Sequence, residues 1–233
     1  MAAEVSASWE KLKRLEGALI VSCQASAGEP LARPEHILAL SLSALAGGAR
    51  GLRLEGVENI QMVRRHTDVP IVGLLKSPQV SEQDRLTEVY ITRTYEDAVA
   101  VSEAGADIIA LDATGRQRPH GLTLPNLTAR IHVELMKPVW GDVATADQAA
   151  SAVDCGLDVV STTMYGYTQE TKLPAEAGPD FALLKTICET VPVPVILEGR
   201  VWHPEEVTRA FELGAYAVVV GSAITRPQLI TRR

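Results

Sequence analysis

An amine and a carboxylate are the residue types in this sequence with the most chemistry to offer. Lys76 and Glu198 each stand as the first charged group after an apolar run, VPIVGLL (69–75) and VPVIL (193–197). A lysine drawn out of water loses part of its preference for the charged form, so its amine, with a pKa of about 10.4 in water, becomes a usable base. Glu198 could hold or deliver the opposite proton. Lys76 could equally be a solvated strand end or a Schiff-base lysine of the aldolase kind, and Glu198 a structural ion-pair partner of Arg200 or Lys76.

Other polar residues stand at equivalent points. Gln24, Arg53, Asp112, Asp142, Thr162 and Ser222 each end or follow an apolar run of strand length. Gly199 and Gly221-Ser222 could present backbone N–H groups to a phosphate, assisted by a helix amino end, or be tight turns alone. The histidines, His36, His66, His120, His132 and His203, fall mostly in helical pattern and lack paired carboxylate spacing, so no metal is expected. No G-x-S-x-G elbow occurs.

The elements that must position these residues alternate regularly. Apolar, β-branched runs at 17–23, 49–54, 69–75, 107–111, 138–141, 157–161, 193–197 and 217–220 predict strands. Helical patterns lie between all of them, at 34–46, 56–66, 96–103, 124–135, 146–153, 181–190 and 207–213. Residues 77–94 predict a longer loop with a small excursion around VYIT, of the kind that serves a site or a lid. Gly48-Ala49, Gly105-Ala106, Gly156-Leu157 and Gly214-Ala215 precede strands two, four, six and eight, while Pro70, Pro138 and Pro194 open strands three, five and seven. Strands that each lead into a helix, except the last, predict a (β/α)8 barrel as a single domain over 1–233, with 1–16 as a polar helical lead. A doubly wound sheet is the runner-up, disfavoured because no G-x-G-x-x-G follows the first strand. In a barrel the carboxyl ends of all strands meet at one face, so the polar residues above converge.

A net charge of -7 argues against a nucleic-acid partner, which would call for a basic face, and leaves an anionic ligand dependent on local positive groups. No apolar run reaches the ~18 residues a membrane span requires, and the lead lacks a signal peptide's apolar centre. Cys23, Cys155 and Cys188 are odd in number, lack C-x-x-C spacing and lie in apolar segments. They are expected to be reduced core residues of a cytoplasmic protein.

Several motifs together resemble one family: VSCQA (21–25), GLRLEGVENI (51–60), PIVGLLK (70–76), IIALDAT with RQRP beyond it (108–119), TTMYGYTQET (162–171), LEGRV (197–201) and VVVGSAITRP (218–227). They look like the bacterial N-acetylmannosamine-6-phosphate 2-epimerases of sialic-acid breakdown, over residues from about 15 to the end. The resemblance implies a phosphate-binding (β/α)8 barrel that interconverts N-acetylmannosamine 6-phosphate and N-acetylglucosamine 6-phosphate without metal or other cofactor. It implies Lys76 and Glu198 as the proton-transfer pair, Gln24, Arg53, Asp142 and Arg226 as sugar contacts, and Gly199, Arg200, Gly221 and Ser222 as the phosphate cradle. Partners implied are a small-molecule phosphosugar and a second copy in a homodimer. Tyr165-Gly166-Tyr167-Thr168 stands where the family's Ser-Gly-Tyr-Thr is expected, a difference at the pocket wall. The chain stops at Arg233, about a turn into the helix with which family members can pack a dimer. Two other classes compete: another phosphosugar barrel isomerase, such as a metal-using ribulose-phosphate epimerase, and a non-catalytic sugar-phosphate-binding barrel.

Overall fold

Strand residues in this chain alternate between two apolar environments, which is what a closed barrel wrapped in helices requires. The computed structural model describes residues 2–26, 28–174 and 176–233, with side chains from residue 7 onward within those ranges. Eight strands, β1 (Ala18–Cys23), β2 (Gly51–Glu55), β3 (Ile71–Leu74), β4 (Ile108–Asp112), β5 (Val139–Asp142), β6 (Val159–Ser161), β7 (Val195–Glu198) and β8 (Ala217–Val220), pair in parallel and in chain order. β1 closes the ring on β8, with Ala18 opposite Ala217. The sheet is therefore the expected barrel and has no free edge of the kind a doubly wound sheet would show.

The pleat sorts each strand. Ile20, Val72, Leu74, Ile108, Ala110, Trp140, Val159, Ile196 and Val219 form one buried cluster inside the barrel. Their chain neighbours Val21, Ile71, Ile109, Val139, Val160, Leu197 and Val218, with Leu52 of β2, belong to a second cluster, against the helices. Those helices are α2 (Pro34–Ala46), α3 (Val57–Arg64), α4 (Tyr95–Glu103), α5 (Leu124–Arg130, running into a π turn at Ile131–Leu135), α6 (Ala146–Asp154), α7 (Phe181–Thr190) and α8 (Pro204–Glu212). Side chains of Thr94, Thr145 and Asp180 accept backbone N–H bonds at the starts of α4, α6 and α7, as N-caps do. No helix among the described residues is long and apolar enough to cross a membrane.

The polar lead is helix α1 (Ala2–Lys13). Leu12 and Leu15 join the inner cluster, and the Tyr216 hydroxyl donates to Lys13 O at 3.2 Å, so this segment plugs the amino end of the barrel. The polar strand-end residues gather at the opposite, carboxyl end.

Three expectations need correction. β8 is followed by helix after all, in two short pieces, α9 (Ser222–Thr225) and α10 (Pro227–Arg232). Of the cysteines, Cys23 alone lies in the core; Cys155 and Cys188 are half-buried, and all three are free thiols. The VYIT excursion is more ordered than a loop: Ile91 makes an antiparallel bridge to Lys76, and Val89, Ile91 and Thr92 are buried.

The helix-facing side of β3 has no room for a side chain at Gly73. A Cβ there would lie 2.6 Å from Ala106 Cβ and 2.7 Å from Val101 Cγ1, both on short or branched side chains that cannot swing away. Gly73→Ala is expected to cost about 1–3 kcal/mol, as overpacking typically does. An unchanged urea-unfolding midpoint would show that α4 and β3 are packed less tightly than this.

Candidate active site

At the open end, the inward-facing stripe of each strand turns from apolar to polar. Two residues after Trp140 comes Asp142, two after Val159 comes Ser161, two after Ile196 comes Glu198, and two after Leu74 comes Lys76. β2 carries Arg53 and Glu55 on the same stripe. The two-residue period of a strand thus delivers all these groups to one mouth.

Arg53 is the hub. Its side chain is 1% exposed, with Nη2 donating to Asp142 Oδ2 at 2.5 Å and Nη1 3.0 Å from Glu198 Oε2. The guanidinium lies over the Trp140 ring, 5.6 Å from its centroid. Nη1 is too poorly aligned with Glu198 for a hydrogen bond, and Nε has no partner, so two buried donors keep unused capacity. Asp142 Oδ1 receives Ser161 Oγ and Thr163 Oγ1, each at 2.9 Å. Thr163 Oγ1 is also 3.0 Å from Glu198 Oε2. On the other side of the mouth, Lys76 Nζ donates to Gln24 Oε1 at 2.7 Å, and Gln24 Nε2 donates to Ser22 Oγ at 3.0 Å. The Lys76 backbone N–H reaches Glu55 Oε1 at 3.3 Å.

The remaining expected site residues lie around this set. Gly221 packs against Ser22, and Ser222 opens α9, whose Thr225 hydroxyl donates to Ser22 O at 2.9 Å. Arg226 pairs with Glu29 of the segment after β1. Gly199, at φ 103°, lies against the carbonyls of Thr162 and Thr163. The Arg200 guanidinium turns elsewhere: it donates to Pro174 O at 2.6 Å and stacks 4.8 Å from the Tyr167 ring centroid. Gly166 is what admits it there, since a Cβ at that position would sit 2.6 Å from Arg200 Nη2. Glu198 pairs with Arg53, not with Arg200. Asp112 holds Thr114 and Arg116. Burial, helped by the Asp180 carboxylate at the start of α7, raises the Tyr165 pKa.

The family model "Putative N-acetylmannosamine-6-phosphate epimerase" matches residues 37–233. The chain belongs to that family. A relative from Caldanaerobacter subterraneus subsp. tengcongensis, described as "Putative N-acetylmannosamine-6-phosphate 2-epimerase", is 43% identical over 95% of this chain and 91% of its own length. A relative of the same description from Thermosynechococcus vestitus is 46% identical over 91% of this chain and 89% of its own. Among solved structures, the N-acetylmannosamine-6-phosphate 2-epimerase of Clostridium perfringens superimposes with a TM-score of 0.89 at 39% identity, covering 95% and 93% of the two chains. Thiamine phosphate pyrophosphorylase from Pyrococcus furiosus, at 16% identity and a TM-score of 0.60, shares the fold alone.

In this member of the epimerase family the mouth shifts its two titratable extremes toward each other. Burial, together with the positive charges of Arg53 and Arg85, lowers the Lys76 pKa against the pull of Glu55 and Glu198. Burial, helped by Asp142, pushes the Glu198 carboxyl up to about 7 against Arg53, the Thr163 hydroxyl and Lys76. Burial also works against the Arg53 charge, but Asp142 and Glu198 overcome it and hold the guanidinium firmly protonated.

Because the Glu198 pKa is raised from its ordinary 4.5 to about 7, the folded protein keeps a proton that the unfolded chain has already lost in that window. The stability this group contributes is therefore full below pH 4.5 and is lost as pH rises through 7. Glu198→Gln removes the titration. Its stability relative to wild type should rise by on the order of 2–3 kcal/mol between pH 4.5 and 8.5, measured by denaturant unfolding. A difference that does not change with pH would mean an ordinarily ionising carboxylate.

Proposed function

We propose that this protein is an isomerase that inverts C2 of N-acetyl-D-mannosamine 6-phosphate to give N-acetyl-D-glucosamine 6-phosphate, by deprotonation and reprotonation and without a metal. One observation carries the reading. A buried lysine made less basic and a buried glutamate made less acidic share one barrel mouth with a buried arginine, close enough to feel one another's charge.

Inverting that carbon requires removal of the proton next to the C1 carbonyl of the opened sugar and return of one to the other face. Lys76 and Glu198 are assigned these two transfers: burial lowers the Lys76 pKa and so favours its basic amine, and Glu198, pushed up to about 7, can hold or release a proton near neutral pH. The negative charge that develops on the carbonyl oxygen is assigned to the unused N–H groups of Arg53, whose fixed charge in a water-poor site needs no reorganisation. Since the guanidinium supplies that charge, a metal has no step left to perform.

Gln24 is proposed to contact the sugar beside Lys76. Asp142, fully buried under Arg53, acts on the sugar through that arginine. The phosphate is assigned to the backbone at Gly199, Gly221 and Ser222, with Arg226 as a charged neighbour. Arg200 contributes there through its backbone N–H, its guanidinium being committed to the segment after β6. Three free thiols fit a reducing compartment such as the cytoplasm. The exposed Ile224 and Ile230 of α9 and α10 support a homodimer.

In D2O, wild type should wash deuterium into C2 of both 6-phosphates while interconverting them. Lys76→Ala and Glu198→Ala should each lose 10²–10⁴-fold or more in kcat with an unchanged fold by circular dichroism. Full activity of Lys76→Ala would remove the proton-transfer assignment, and tight binding without exchange over hours would make the protein a sugar-phosphate-binding barrel instead.

A further inference from the structure

The hydroxyl of Thr163 has more acceptors than it has protons. Its oxygen lies 2.9 Å from Asp142 Oδ1, 3.0 Å from Glu198 Oε2 and 2.7 Å from Ser161 Oγ, yet a threonine carries one O–H. We infer that Thr163 is a positioning residue whose hydroxyl turns between Asp142 and Glu198 as Glu198 gains and loses its proton. This role presupposes the epimerase chemistry above, in which Glu198 exchanges a proton with the sugar.

Counting donors on both sides of the transfer shows why the arrangement works. With Glu198 protonated, its O–H donates to Thr163 Oγ1, and the Thr163 O–H donates to Asp142 Oδ1. When the proton has gone to the substrate carbon, the Thr163 O–H swings to the new carboxylate at Oε2. Asp142 is not left bare by that swing. Ser161 Oγ still donates to its Oδ1 at 2.9 Å, and Arg53 Nη2 still serves its Oδ2 at 2.5 Å. Ser161 accepts from Trp140 Nε1–H at 2.8 Å and keeps its own O–H to give, to Asp142 Oδ1 or to Thr163 Oγ1. Every heavy atom keeps its place through the cycle; only one hydroxyl rotates, a motion of the fastest class that proteins have.

The neighbouring threonine separates this role from support of the strand. Thr162 Oγ1 donates to Glu198 O at 2.9 Å and accepts from Glu198 N at 3.1 Å, so it clamps the β7 backbone. Thr163 meets the Glu198 side chain through its hydroxyl. The charged groups that act on Glu198 are Arg53 from β2, Lys76 after β3 and Asp142 from β5. β8, the other strand packed against it, is Ala-Val-Val-Val and brings none. The Thr163 hydroxyl favours the ionised form of Glu198, so its loss raises the pH at which Glu198 ionises.

Thr163→Val keeps the shape and removes the hydroxyl. In the pH profile of kcat/KM for the N-acetylmannosamine 6-phosphate reaction, the limb that reports Glu198 should move up by about one pH unit, the size expected for loss of a hydrogen bond to a charged group. At the pH optimum kcat should fall roughly ten-fold with KM little changed, and Thr163→Ser, which restores the hydroxyl, should return both to wild type. Thr163→Ala serves the same test should valine not be accommodated. A variant profile that coincides with that of a deuterium-exchanging wild type overturns the role while leaving the epimerase standing. So does a pH-independent loss that serine shares. A wild type without deuterium exchange overturns the epimerase reading and this role with it.

Discussion

Burial of the Arg53 guanidinium is the constraint from which the mouth of this barrel is built. A charge with 1% exposure in the middle of a strand is unstable unless its partners are fixed, because the cost of leaving water exceeds what one loose ion pair returns. Asp142 supplies the tight partner, Trp140 offers the face of its ring, and Glu198 stands at ion-pair distance on a third strand. Asp142 then needs its own donors, and Ser161 at the end of β6 and Thr163 in the turn after it provide them. The polar network thus ties β2, β5, β6 and β7 together at the end where no apolar layer remains.

The two ends of the barrel are treated differently. At the amino end, Leu12 and Leu15 close the interior with apolar contacts, which require no partner geometry. At the carboxyl end, the same inward stripe carries charges whose burial opposes stability and whose pKa shifts measure that opposition. A buried glutamate that ionises only near 7 weakens the folded state at the pH where the enzyme would work. Such a cost is tolerable because the packed layers beneath it, from Ile20 and Val72 to Ile196, are fully buried.

The barrel could be read from the alternation of glycine- and proline-opened strands, because that repeat reflects a local constraint repeated around a ring. Lys76, Glu198, Arg53 and Asp142 were visible for a related reason: a charge interrupting an apolar run must either leave the fold or face a site. Thr162 shows where that logic fails. It is the first polar residue beyond β6, yet the pleat turns it onto the β7 backbone, while Ser161 and Thr163 carry the inward parity with Val159. Counting in twos from the apolar interior would have found both, and Glu55 as well. Arg200 fails differently: its place beside Gly199 suggests an anion, but its φ of 63° and the space opened by Gly166 aim its side chain at the carbonyls of another loop. The antiparallel return of Ile91 has no local signature, since it depends on residues far off in the chain.

That return has an architectural effect. β3 and β4 are joined by only two register pairs, Val72 with Ile108 and Gly73 with Ile109, and above them Ile91 accepts from Asp112 N at 3.1 Å while Thr92 N donates to Leu75 O at 2.8 Å. The excursion is a wedge driven between two staves of the barrel just under the amine. Beyond the wedge the same excursion reaches across the mouth, where Arg85 O accepts from Arg116 Nη1 at 2.8 Å and Leu86 O from Gln169 N at 2.9 Å. The segment that seats the amine is thereby buttressed by the loops that leave β4 and β6.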